Sequence, residues 1–203
     1  MIGSRDEEEL DRHFGLVTRL LVESRVVPFL GAGANLCGRP APVAWQEGST
    51  YLPSGAELSA YLKRNWADCT ETELTRVAQW VSEMGGSGDL FNSLHELFDR
   101  DYPPTALHRF LAALPGLLAG RSSALQHQLI VTTNYDDLLE QAFAAAGQPF
   151  DLVTYVSDGP ARGKFRHTPP EGDSRLIDIP NQYRDVSPER QTVILKIHAV
   201  PVA

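Results

Sequence analysis

Three apolar, strand-like runs lie far apart in this chain, and each stops at a short polar or glycine-rich segment. Those segments are Gly31-Ala32-Gly33-Ala34-Asn35, Thr132-Thr133-Asn134-Tyr135-Asp136 and Lys196-Ile197-His198. In an open parallel α/β sheet, ligands bind in the crevice outside the carboxyl ends of the strands, so residues placed there converge in space. The pattern implies an open parallel α/β sheet with one nucleotide site built from glycines, an Asn/Asp pair and a His.

Between and around these runs the periodicity turns helical. Leu10, Phe14, Val17, Leu20 and Leu21 form a stripe that predicts an amphipathic helix from Glu7 to Val22, lying on the sheet. Arg25 to Leu30 reads as a buried first strand, with Pro28 marking an edge position or a local irregularity. Capping-box patterns at Ser54 to Glu57 and Thr70 to Glu73 open predicted helices over 54–66 and 73–84. The run Gly85-Gly86-Ser87-Gly88 breaks the chain, Leu90 to Phe98 is striped again, and Thr105 to Leu114 is a further helix. Residues 38–126 therefore read as a helical lobe inserted between the first and second strands. Gln128 to Thr133 is the second strand, Asp136 to Ala146 a helix closed by Gly147, and Asp151 to Val156 a third strand. Ser157 to Pro170 shows no periodicity and is expected to be a lid or a disordered loop. Gln191 to Ile197 is the last strand, and no internal repeat is present.

Composition narrows the function classes. A chain of 203 residues with net charge −8 and pI near 5.2 lacks the clustered Lys and Arg that phosphate backbones demand, so no nucleic-acid surface is expected. Two cysteines, Cys37 and Cys69, are too few for a four-cysteine zinc site and suit a reducing cytosol. No run reaches the length of a membrane span and the first residues have no apolar signal core, so a cytoplasmic location and no membrane partner are expected.

The candidate chemistry is specific in placement and modest in each part. Gly31, Ala32 and Gly33 permit positive φ and close backbone approach to a pyrophosphate. Their spacing departs from the common dinucleotide fingerprint, because Leu36 stands at the third glycine position, and Gly38-Arg39 lacks the Lys-Ser/Thr pair of a phosphate loop. A tight turn without a ligand is the bland alternative. Asn134 and Asp136 can orient a ribose or an amide, while Asp136 equally suits a helix cap. His198 closes a strand with a pKa suited to proton transfer at a sugar hydroxyl. The remaining histidines, His13, His95, His108, His127 and His167, lack metal spacing and read as helix-face or loop residues. The tryptophans Trp45, Trp66 and Trp80 read as packing.

Taken in order, the three segments resemble the sirtuin-like superfamily, especially its bacterial NAD-hydrolysing branch found in antiphage defence. The resemblance spans residues 25 to 198, and Pro104-Thr105-Ala106-Leu107-His108 is also similar to that branch. It implies a Rossmann-like parallel sheet with an inserted helical lobe, forming one NAD-binding domain over residues 1–203. It also implies that Gly31, Ala32 and Gly33 form the phosphate loop, that Asn134 and Asp136 contact the nicotinamide ribose and carboxamide, and that His198 engages ribose hydroxyls. Asn35 stands where many sirtuins have Ser and is counted with the NAD contacts. The implied chemistry is loss of nicotinamide through an oxocarbenium-like cation, with NAD as substrate, water as acceptor and no metal. The alternatives are a sensing module that binds NAD or ADP-ribose without turning it over, and a protein deacylase; a magnesium-dependent phosphoryl-transfer enzyme is disfavoured by the missing Lys. Relatives of this kind join the domain to a sensor, a nucleoside-triphosphatase or an Argonaute partner and act as homo-oligomers. Two departures are visible: Ala199 follows His198 where the family has Gly, and the family's sheet runs on further, which implies a C-terminally truncated sheet.

Overall fold

The structure is a computed structural model that describes residues 3–39, 43–120, 126–157 and 159–197. In chain order its elements are α1 (Gly3–Val22), β1 (Phe29–Leu30), α2 (Gly55–Leu62), α3 (Leu74–Met84), α4 (Ser87–Phe98), α5 (Ala106–Leu118), β2 (Leu129–Thr132), α6 (Leu138–Ala145), β3 (Phe150–Tyr155), β4 (Phe165–Thr168), β5 (Arg175–Ile177) and β6 (Thr192–Lys196). The strands form one six-stranded sheet in the order β1-β2-β6-β3-β4-β5. The first four of that order are parallel, as expected of a Rossmann-like fold, while β4 and β5 add on antiparallel.

Alternation along the strands separates two faces. Ile130 and Ile194 point to one side, where Leu111 and Leu114 of α5 and Leu139 and Phe143 of α6 close over them. Leu129, Val153, Val193 and Leu195 point to the other, beneath Tyr183 and Val186 of the segment that follows β5. Each of these large side chains contributes about 1.5–3 kcal/mol when fully withdrawn from water, and Ile130, Ile194 and Phe143 are wholly buried. A separate apolar cluster joins α2, α3 and α4 around Leu62, Val77, Val81 and Leu97, with Trp45, Trp66 and Trp80 packed against it.

Local chemistry explains several boundaries. Ser54 opens α2 with a capping box: Ser54 Oγ accepts from the Glu57 N–H at 3.3 Å, and Glu57 Oε2 accepts from the Ser54 N–H at 2.8 Å. Glu57 also takes both guanidinium nitrogens of Arg39, at 2.7 and 2.6 Å, which is the main reason its carboxyl lies far below the usual range. Between α3 and α4 the glycines are obligatory. A Cβ on Gly85 would sit 2.6 Å from the Trp66 ring, and Gly86 has φ +91°. Gly147, at φ +64°, closes α6.

Five expectations need correction. The helix predicted over 7–22 forms as α1 but does not lie on the sheet: residues 7–19 are exposed and only Leu21 enters the core. The face it would cover is already occupied by α5 and α6. The first strand is only two residues long, and Phe29 is 63% exposed, because β1 is the edge strand; the Pro28 carbonyl still accepts from the Val131 N–H at 2.9 Å. No capping box forms at Thr70, and Glu73 precedes the first turn of α3 instead. The segment 157–170 is not a structureless lid, since β4 pairs with β3 from Leu152↔Thr168 to Tyr155↔Phe165. Finally, His167 is a buried strand residue and not a loop residue: its Nε2 is 2.8 Å from Asp151 Oδ1 and its Nδ1 2.7 Å from Tyr183 Oη.

Candidate functional site

The register of the parallel strands determines where the three polar segments meet. Leu30 pairs with Thr132 and Thr132 with Lys196, so one row of residues ends β1, β2 and β6 at the same edge. The Thr133 N–H donates to the Leu30 carbonyl and the Ile197 N–H to the Thr132 carbonyl, both at 3.0 Å, and these bonds carry the row one residue further. Beyond it the chain turns away from the sheet on β1 and β2, and the side chains of the two turns face each other.

Residues 32–36, directly after β1, form a single 3-10 turn, and its last two residues include the buried Asn35. Asn35 Nδ2 donates to Asp136 Oδ2 at 2.7 Å, and Asn134 Nδ2 donates to Asn35 Oδ1 at 3.5 Å. The Asn134 N–H donates in turn to Thr132 Oγ1 at 3.0 Å, which fixes the turn after β2. Asp136 is shared: Oδ1 accepts from the Leu138 N–H at 3.2 Å, just ahead of α6, while Oδ2 holds Asn35. The cap reading of this residue needs correction, because Asp137 and not Asp136 is the N-cap of α6. Two carboxamides and a carboxylate, each at most 8% exposed, form one hydrogen-bonded group at the strand ends.

Gly31 and Gly33 require a revised account. Gly31 has φ −120°, Gly33 is not among the glycines with positive φ, and a Cβ on Gly33 would meet nothing within 4 Å. Neither backbone conformation nor packing within the chain demands glycine at these two positions. The property that remains is the open space above the turn, which lets a ligand approach the backbone. Ala32 begins the 3-10 turn between them. His198 and Ala199 lie outside the described residues.

Four residues not assigned a role from sequence support the group. Lys196, buried at the end of β6, donates to the Asp136 carbonyl at 2.6 Å and to Glu140 Oε1 at 2.7 Å. Burial pushes the Glu140 carboxyl up, and Lys196 opposes that shift. Thr105 Oγ1 donates to the Ala34 carbonyl at 3.1 Å, joining the start of α5 to the 3-10 turn. His108 Nδ1 accepts from the Thr105 N–H at 3.2 Å, which leaves the proton of the neutral ring on Nε2. Burial lowers the His108 pKa, with the Asp136 charge acting in the opposite direction. A Lys closing an apolar strand was the available signal for the first of these; Glu140 and Thr105 reach partners more than fifty residues away, and His108 joins through Thr105, three residues before it.

A cleft of about 270 Å3 opens beside this group, between the 3-10 turn and the first turn of α5, with Asn35, Thr105 and Arg109 among its walls. Among the described residues no cluster of His, Cys, Asp or Glu suited to a metal is present. Cys69 is buried in the α2–α4 cluster and Cys37 is exposed, both as free thiols. No described helix is long and apolar enough to cross a membrane.

Comparison with known families bears on the part of the chain from β2 to β6. Residues 128–198 match the SIR2-like domain. The matched span runs from β2 through β6 and contains Asn134, Asp136 and Lys196, so the polar group described above is built largely on the SIR2-like portion. The match supports the sirtuin-like superfamily, whose members use NAD as a substrate, and the mixed α/β sheet agrees with that fold. No curated protein matches the chain.

Proposed function

We propose that the chain is an NAD hydrolase that cleaves the bond between nicotinamide and ribose, as the effector of a bacterial antiphage defence. The observation that carries this reading is the Asn35–Asn134–Asp136 group at the carboxyl ends of β1 and β2, inside or against the SIR2-like span. Residues 1–203 act as one NAD-binding domain, with 38–126 as its helical lobe. Gly31, Ala32 and Gly33 let the backbone approach the pyrophosphate. Asn35, held by Asp136, keeps the Asn134 carboxamide aimed at the nicotinamide ribose, and the Asp136 charge favours the positive charge that develops on that ribose.

In the reaction the C1′–N bond breaks, its electron pair leaves with nicotinamide, and a water oxygen bonds to C1′ and sheds a proton, giving ADP-ribose. His198 takes part at the ribose hydroxyls. The domain works as a homo-oligomer coupled to a sensor, nucleoside-triphosphatase or Argonaute partner. The test is incubation of the purified chain with NAD, with nicotinamide and ADP-ribose followed by chromatography. Wild type should release both, and Asn134→Ala should lose release by about a hundredfold or more, the scale of removing one positioned transition-state donor. Turnover by Asn134→Ala equal to wild type removes the assignment.

A further inference from the structure

The cleft beside Asn35 has a lining at odds with the chain around it. The sequence holds 26 acidic against 18 basic residues, yet no Asp or Glu lines this cleft, and two arginines do. Arg39 is fixed in place by the two bonds to Glu57 and by its position 4.6 Å from the centre of the Tyr51 ring. Arg109 is different. It is exposed, it donates one nitrogen to the Pro104 carbonyl, and it makes no ion pair among the described residues. Its side chain lines the cleft together with Thr50, Tyr51 and Thr105, of which the Thr105 hydroxyl is committed to the Ala34 carbonyl and the Tyr51 hydroxyl donates to the Ala44 carbonyl at 3.4 Å. Thr105 and Ala106 begin the 13-residue α5, so the positive end of that helix lies at the same cleft.

We propose that this cleft binds the phosphate groups of a phosphorylated ligand, with Arg109 as the residue that engages them. A guanidinium with unused donors, the Thr50 hydroxyl and a helix start in an acid-free recess match the planar, multiply hydrogen-bonded recognition that phosphate oxygens accept. The phosphates can belong to the dinucleotide substrate, which rests on the NAD reading and then places them at Arg109 instead of at the Gly31, Ala32 and Gly33 backbone, or to a separate nucleotide that acts on the enzyme. The cleft and its chemistry are the same in both cases.

The probe is inorganic pyrophosphate, titrated calorimetrically into wild type, Arg109→Ala and Arg109→Lys, with thermal melting to establish that each variant is folded. Wild type should bind saturably, Arg109→Ala should bind at least about tenfold more weakly, and Arg109→Lys should fall between, since it keeps the charge and loses the fork. No binding by wild type, or equal binding by Arg109→Ala, overturns the proposal, and neither result depends on NAD turnover. Kinetics with NAD then separate the sources. Competition by pyrophosphate, with KM raised and kcat retained in Arg109→Ala, assigns the cleft to the substrate; pyrophosphate binding that leaves KM for NAD unchanged assigns it to a separate nucleotide. Pyrophosphate binding by a protein that never turns over NAD supports the cleft and removes the NAD hydrolase reading.

Discussion

At the scale of single residues, the site depends on buried polar groups that satisfy one another. Asn35 is the central member, because it donates to Asp136 and accepts from Asn134 with the same carboxamide. A hydroxyl at position 35, the residue many sirtuins carry, is too short to reproduce both bonds at once. His108 contributes from behind, as the acceptor of the Thr105 N–H. Its pKa is lowered mainly by burial, so the folded chain holds it neutral while the unfolded chain binds a proton below about pH 6.5. The unfolded state therefore gains protons as the pH falls, and stability declines from that point downward. Thermal melting between pH 7.5 and 5.5 should show this decline, and His108→Asn, which keeps an acceptor near Nδ1, should reduce it. His127 is shifted in the same direction by burial, so a residual slope is expected in the variant. An unchanged slope in His108→Asn excludes His108 as its source.

At the scale of elements, the antiparallel hairpin added to the parallel sheet is tied down by one polar chain. Asp151 on β3, His167 on β4 and Tyr183 beyond β5 bond in sequence, and Asp151 and His167 are 5% and 3% exposed. Removing one partner leaves the others buried without compensation, which costs about 3 kcal/mol for a pair of this kind. Asp151→Leu should therefore lower Tm by roughly 6–12 °C in a chain of this size. Replacing both Asp151 and His167 by Leu should recover part of that loss, since no buried donor then faces an apolar wall. A single variant within 1 °C of wild type rules out this bond as the fastening of the hairpin. The segment 157–170 looked irregular in sequence because His167 and its neighbours alternate for only four residues, and their pairing partner lies on β3.

At the scale of the whole molecule, two of the apolar clusters divide most of the helices between them. One joins α5 and α6 to the sheet, and the other joins α2, α3 and α4. Hydrogen exchange at rising urea should resolve them as two groups, with the amides of α2 to α4 opening before those of β2, β3, β6, α5 and α6. A single urea dependence for all of these amides contradicts that division. Much of this architecture was legible beforehand, because it rests on local rules. Apolar runs ending at Gly31, at Asn134 and Asp136, and at Lys196 to His198 marked β1, β2 and β6, and Ser54 and Gly147 marked helix ends through bonds or dihedrals within a few residues. The sequence by itself determined that the chain makes a parallel α/β sheet with polar turns at one edge, since strand periodicity and turn chemistry are properties of neighbouring residues. Only the tertiary structure decided that α1 is left off the sheet, that Asn35 and Asp136, 101 positions apart, share a hydrogen bond, and that Arg109 faces an acid-free cleft. Those outcomes depend on which surfaces are already filled when distant segments meet, and no local pattern carries that information.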